Sequence, residues 1–283
     1  MIKGRHLLAG GVAGLAGACD CGVPAGLENV GGALQSRELK MVTTWPKDFP
    51  GLGTMAERTA QFITEMSGGA MRVKVYAAGE LVSAFESFDA VSSGAADIYH
   101  GAEYYWVGKS PAFAFFTAVP FGMTANEIMA WTEFGGGQEL WDELSARFNI
   151  KPFAAGNTGH QLAGWYKREI NSLEDLRGMK IRMPGLGGEV LRRIGASAVA
   201  LSGGEIYQAL QTGAIDGQDN PLPNDYNMKF YEVTSQIVLT SHLVGYDLFV
   251  VSKETWDSLT PDQQATLEGE ARKAIAWSTD KHL

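Results

Sequence analysis

The sequence predicts a two-lobed α/β protein, and three observations predict it. Apolar residues alternate at period two in some segments and recur at helical spacing in the next, so strand is followed by helix. That order runs through twice, from about Leu39 to Phe148 and again from Lys151 onward. The 283 residues, 45% hydrophobic and 19% charged, are enough for one large domain or for two cores in series. Ligands of such proteins bind between the two units. Glycine, at 35 residues, has no three-residue period, and the apolar content is too high for general disorder.

The first residues read differently from the rest. Lys3, Arg5 and His6 precede an apolar, small-residue stretch from Leu7 to Ala18, the order of an export leader, and that stretch is short for a bilayer span. Ala16-x-Ala18 fits an ordinary cleavage site, while Leu15 to Cys19 resembles a lipoprotein box with one residue too many; both processing routes stay open, the second giving a lipid anchor at Cys19. Cys19 and Cys21 are the two cysteines of the chain, so the body from Arg37 onward carries none and is held by its core. The leader and linker, 1–37, hold Lys3, Arg5 and Arg37 against Asp20 and Glu28, which leaves the body a net charge of −10. A nucleic-acid or anionic-membrane surface does not fit that balance.

In the body, Leu39 to Thr44 is a β-rich run closed by Trp45-Pro46 and Phe49-Pro50-Gly51. A helix is expected from about Thr54 to Met66, stopped by Ser67-Gly68-Gly69. Met71 to Tyr76 alternates and reads as a strand, Phe85 to Ser93 as a short helix, and Ala96 to Tyr99 as a third strand. The alternation argues a parallel sheet. Nine aromatic residues lie between Tyr99 and Trp131; most have the character of core, but Tyr104, Tyr105 and Trp106 follow a strand in a loop, where open α/β sheets place ligand contacts. Asn126 to Phe148 is helical and interrupted at Gly135-Gly136-Gly137.

The second unit opens with Phe153 to Gln161 and Gly164-Trp165-Tyr166 as strand and loop. Ser172 to Asp175 has the spacing of a capping box, and Met179 to Met183 is a strand ended by Pro184-Gly185. Helices at Gly188–Ile194 and Gly204–Thr212 flank a strand at Val199–Leu201, and Ala214 to Asp216 begins another strand or loop. Leu248 to Ser252 is a strand, and Thr260-Pro261-Asp262 opens a helix that runs to the end.

Arg182 is the residue that carries most. At the end of a strand, beside Pro184, a guanidinium can grip a carboxylate with two parallel hydrogen bonds. Gln161, Asp219 and Asn220 sit at the tips of other strands and, with it, would make a polar site for a small organic anion, with or without a cation. Gly51-x-Gly53-x-x-Ala56 has the form of a dinucleotide fingerprint, yet Trp45 to Pro50 separate it from its strand. There is no nucleophile elbow, zinc-protease motif or phosphate loop, and His100, His160, His242 and His282 are scattered; His160, next to Gln161, is the one to watch. Nothing in these residues marks an enzyme.

Several segments together resemble a family. Met41 to Pro46, Val75 to Leu81, Phe88 to Gly94, Asn157 to Gln161, Leu176 to Pro184, Gly204 to Gly213 and Ala214 to Pro221 are similar to the solute-binding subunits of tripartite ATP-independent periplasmic (TRAP) transporters, the DctP family. The resemblance runs from about Leu39 to the end. It implies a type II-like periplasmic binding protein with lobe I at 38–158 plus 247–283, lobe II at 159–246, a hinge between them and the ligand in the cleft. It implies that Arg182 holds the substrate carboxylate, that Tyr104, Tyr105 and Trp165 wall the pocket, and that the closed receptor delivers a small organic acid to a sodium-coupled pair of membrane permease subunits. A periplasmic sensor that signals to a membrane protein is the alternative use of the same fold.

Gln161 with Gly164-Trp165-Tyr166 resembles the branch that binds 2-oxo acids and related mono- and dicarboxylates, where such a glutamine and a Glu-Trp pair help hold a metal ion. Here the pair is Asp219-Asn220, so Na+ or Ca2+ at Gln161, Asp219 and Asn220 is an open expectation. Gln218-Asp219-Asn220-Pro221 resembles instead the dicarboxylate and sialic-acid branches, in which the asparagine meets the ligand. Family members continue beyond this chain's end with a helix that braces both lobes, and its absence here is expected to weaken stability or lobe coupling.

Overall fold

The computed structural model describes residues 36–282; the leader segment with Cys19 and Cys21 lies outside them. The elements run in order: β1 Arg37–Thr43, α1 Leu52–Met66, β2 Met71–Tyr76, α2 Ser87–Ser92, β3 Ile98–Gly101, α3 Ala125–Phe134, α4 Gly137–Ala146 and β4 Ile150–Gln161. There follow β5 Gly164–Tyr166, β6 Lys180–Arg182, α5 Gly185–Arg193, β7 Ser197–Val199, α6 Ile206–Thr212, β8 Gly217–Gln218, α7 Leu222–Asn227, β9 Gln236–Val238, β10 Leu243–Ser252, α8 Lys253–Asp257 and α9 Pro261–His282.

The strands form two five-stranded sheets, in the orders β2-β1-β3-β10-β4 and β7-β6-β8-β5-β9. Both are mixed, which corrects the expected parallel sheet. β1 is parallel to β2 and β3, but β10 is antiparallel to β3 and to β4. The reason is the route of the chain: β4 leaves the first sheet for the second, β10 returns from it, and a returning strand lies antiparallel to the one that left. Every residue of β10 is buried, as befits a strand paired on both sides and covered on both faces.

The first sheet has a core on each face. Leu39 and Met41 of β1 point to one side with Phe153, Phe249 and Val251, covered by Ala56, Ala60 and Ile63 of α1 and by Leu267, Ala271 and Ala274 of α9. Val42 points to the other, with Tyr99, Leu248 and Val250, against Phe88, Phe113, Phe116 and Trp141. Glycines at 135–137 break one helical stretch into α3 and α4, as expected; Gly136 stands at φ 83° and begins the second helix. Thr124 and Glu127 close a capping box at the start of α3.

The second sheet is smaller. Tyr166, Ile181, Met183 and Leu191 fill one face, and Ile206, Leu210, Ile215 and Phe230, with Trp165 and Val199 against them, fill the other. Gly164 decides whether this sheet can form. Its φ is 105°, and a Cβ there would stand 1.6 Å from the Gln218 carbonyl oxygen, so only glycine lets β5 cross so close to β8. Among the described residues no helix is long and apolar enough to cross a membrane.

Candidate functional site

Arg182 is the last residue of β6, and Asp219 follows the last residue of the neighbouring parallel strand β8. Carboxyl ends of parallel strands are where α/β sheets gather ligand contacts. The site therefore grows out of the edge of the second sheet, facing the turn after β3 of the first. That turn is a 3-10 helix over Glu103–Trp106, where a loop was expected, and it carries Tyr104 and Tyr105. Gly185, at φ 67°, lets the start of α5 approach Tyr104, whose Cβ would lie 2.9 Å from a Cβ at 185.

The guanidinium of Arg182 is buried at 3% exposure. Its Nε donates to the Leu201 carbonyl at 3.1 Å, Nη1 to the Asp219 carbonyl at 2.9 Å and Nη2 to the Tyr105 hydroxyl at 3.1 Å. Three of five N–H groups are used, which leaves one on each terminal nitrogen. Arg182 meets the backbone of Asp219 and not its carboxylate, and among the described residues the guanidinium has no ion-pair partner. A buried positive charge so placed is costly until an anion pairs with it.

Arg182, Asp219, Gln161 and Tyr104 line one cavity of about 20 Å³ between the two sheets, with Gly187 and Leu243 on its wall. Gln161 Nε2 donates to Thr158 Oγ1 at 3.1 Å, so the amide oxygen is the part left for a ligand. Asp219 Oδ1 is buried with no hydrogen-bond partner, and His242 Nε2 stands 3.9 Å from it. Burial pushes the Asp219 carboxyl up to about 7, against the opposing pull of Arg182. His242 is lowered by burial, against the pull of the Gln161 carbonyl, and its Nδ1 is 3.0 Å from Thr240 Oγ1.

Of the residues singled out in the sequence, Arg182, Gln161, Asp219 and Tyr104 thus share a wall, and Tyr105 touches Arg182 directly. Asn220 is buried elsewhere. It does not line this cavity, and its amide lies within reach of the Asp225 carboxyl, which burial raises to about 8. Trp165 shares a cross-strand row with Gln218 and Arg182 but packs against Ile206 and Phe230, away from the cavity. His160 is exposed. The histidine at the site is His242, which comes from the start of the returning strand and carries no local sequence signal. Asp225 is equally silent; a buried acid on a short helix looks like any solvated one.

The sequence matches the family described as bacterial extracellular solute-binding protein, family 7 (DctP), over residues 41–282. The chain belongs to this family. It is 45% identical over 205 residues to the Monocarboxylate 2-oxoacid-binding periplasmic protein of Nostoc sp., a match that covers 72% of this chain and spans 54% of the Nostoc protein's length. The fold is similar to that of a TRAP periplasmic solute binding protein from Pseudoalteromonas atlantica with bound sodium and pyruvate, at a TM-score of 0.84 and 36% identity over 87% of this chain and 77% of that one. It is likewise similar to one from Colwellia psychrerythraea with bound calcium and pyruvate, at a TM-score of 0.83 and 36% identity over 87% and 76%. The two-lobed family 7 fold expected from the motifs is therefore the fold of this chain.

Proposed function

We propose that this chain is the receptor of a TRAP transporter for a small 2-oxo monocarboxylate, which it captures in the periplasm and hands to membrane permease subunits. The observation that carries the reading is Arg182, a buried guanidinium in the cleft with one N–H to spare on each terminal nitrogen and no carboxylate partner. Such a group holds one carboxylate in a charge-assisted pair. The cavity wall supports a single carboxylate: among the described residues Arg182 is its one guanidinium or ammonium group, so a second ligand carboxylate would find no second such group to pair with.

The 2-oxo class is supported by the Nostoc relative and the two pyruvate-bound structures. Those structures hold sodium or calcium, and the residues here fit such an ion. The unpartnered Asp219 Oδ1 and the Gln161 amide oxygen are hard oxygen donors, the type both ions take. We place Asn220 and Trp165 outside this ligand set, and make Tyr104 and Tyr105 the walls. A bound ion would offset the negative charge of the ligand carboxylate beside Asp219 and take its neutral keto oxygen as a further donor.

The lobes divide in this reading at 158/159 and 246/247, close to the register shifts of β10 at Val244/Tyr246 and Asp247/Leu248. The cavity of about 20 Å³ takes little more than a water-sized occupant, so an organic acid enters an opened cleft that then closes on it. Ligand favours closure because only the closed form offers it Arg182 from one side and Tyr104 from the other.

Thermal-shift measurements with pyruvate, succinate and glucuronate, each with and without sodium or calcium, test this. The expected result is a rise in melting temperature with pyruvate, strengthened by cation, and none in Arg182→Ala that keeps a native circular-dichroism spectrum. A larger shift with succinate, or an unchanged shift in Arg182→Ala, would overturn it.

A further inference from the structure

β4 leaves the first sheet and β10 returns to it, and their pairing changes register where they do so. Val244 lies opposite His160 and Tyr246 opposite Asn157, so two residues of β4, Thr158 and Gly159, stand against Gly245 alone. That is a β-bulge, a device that re-aims side chains beside binding sites. Gly159 takes φ 63°, the left-handed conformation such a bulge asks of glycine, and its N–H donates to Asn157 Oδ1 at 3.0 Å. The extra residue shifts the alternation of β4 by one and brings Gln161 opposite Leu243. Both of these line the Arg182 cavity.

One buried hydroxyl holds the bulge. Thr158 Oγ1 accepts from the Gly245 N–H at 3.0 Å and from Gln161 Nε2 at 3.1 Å, which occupies both of its lone pairs. It donates to the Gly159 carbonyl at 3.0 Å, with the Gly245 carbonyl 3.4 Å away. With its proton engaged there, the hydroxyl has none for an amide oxygen, so Gln161 meets it with nitrogen and keeps its oxygen for the cavity. Gly245 gives the room for this: a Cβ there would stand 2.8 Å from Gln161 Nε2 and 3.0 Å from Thr158 Oγ1.

We infer that Thr158 is the positioning residue of the cation half of the site. Through the Gln161 amide it fixes an oxygen donor toward the ion, and through the Gly245 N–H it ties that donor to the bulge between the sheets. The inference rests on the reading that Gln161 and Asp219 hold a cation beside a 2-oxo acid carboxylate. Thr158 is not on the cavity wall, so its effect passes through Gln161. An amide free to turn offers the ion its N–H end as readily as its oxygen, and the N–H end repels a cation.

Calorimetric titration of the full chain with pyruvate, with and without sodium or calcium, gives the gain in affinity that the cation brings; titration with calcium alone gives the ion's own binding. Outer partners of metal ligands are worth about 10–100-fold in metal affinity. Thr158→Val keeps the shape and removes the hydroxyl, and the cation gain is expected to fall by about tenfold or more, while Thr158→Ser restores it. In a Gln161→Ala background, where the gain is already lost, Thr158→Val is expected to add no further loss, because residues that act through one another are not additive. Gly245→Ala leaves the hydroxyl in place and crowds it off Gln161 Nε2, so it reaches the same end from the opposite strand should Thr158→Val not fold. An equal loss with and without cation, no rescue by serine, or a full further loss in the Gln161→Ala background overturns the positioning role while the proposed function stands. A parent chain that binds no pyruvate, or binds it no better with cation, overturns the proposed reading of the site and this inference with it.

Discussion

The guanidinium of Arg182 donates to the hydroxyl of Tyr105 at 3.1 Å and so ties the edge of the second sheet to the turn after β3 of the first. The side chain proposed to hold the anion is thus also one that joins the two sides of the cleft. Tyr105→Phe removes that bond and leaves the ring, which packs on Phe85 and Trp45. A hydrogen bond to a charged group is worth about 1.5–3 kcal/mol, so the off-rate for pyruvate is expected to rise by about tenfold or more, with a larger average radius in X-ray scattering. An unchanged off-rate and radius would show that this bond does not hold the cleft shut.

Asp219 supplies a buried oxygen without a hydrogen-bond partner. Asp219→Asn keeps the shape and removes the charge. In the presence of pyruvate the parent's melting temperature is expected to rise on adding calcium, and the variant's to stay flat. Equal calcium responses would remove Asp219 from the cation site.

Glu103 lies fully buried behind the tyrosine turn, accepting from Tyr99 Oη at 3.1 Å and Trp141 Nε1 at 2.7 Å. Burial raises its carboxyl to about 8, opposed by those two bonds. The folded chain thus holds a proton that the unfolded chain releases near 4.5, so the contribution of this group to stability is full below that pH and is lost as pH rises toward 8. Glu103→Gln cannot ionise; its amide oxygen can take the Trp141 N–H, and its N–H the Tyr99 oxygen. The variant is expected to overtake the parent in melting temperature by several degrees between pH 5 and 8, at roughly 4 degrees per kcal/mol or less for a chain of this size. A constant difference across that range would contradict it.

Gly164→Ala sets a methyl group against the Gln218 carbonyl at a φ that alanine avoids. A loss above about 3 kcal/mol is expected in urea unfolding, together with loss of pyruvate binding, because β5, β8 and β6 are neighbours. Gly108→Ala meets nothing within 4 Å and should stay within about 0.5 kcal/mol of the parent. Similar costs for the two would refute the special place of Gly164.

Much of the fold was legible because its signals are local. Met71 to Tyr76 alternates and is a strand with those bounds; Ser67-Gly68-Gly69 follows the end of α1 at Met66. The returning strand was read only from Leu248, whereas it starts at Leu243, because Gly245 and Asp247 look polar or flexible out of context. Asp247 is buried there by the strands on either side. The strand at Gln236–Val238 was missed, since three residues are too few to show a period.

The sequence by itself determined most of the order of strands and helices, and the arginine at the end of β6, because periodicity and turn chemistry act between residues a few positions apart. Only the tertiary structure decided that Tyr105 would reach Arg182 across 77 positions, that His242 and not His160 would stand at Asp219, and that Asn220 would not line the cavity. Those outcomes depend on which strands pair and in which direction, and pairing is settled by the burial of whole sheet faces, a quantity that no short stretch of sequence contains.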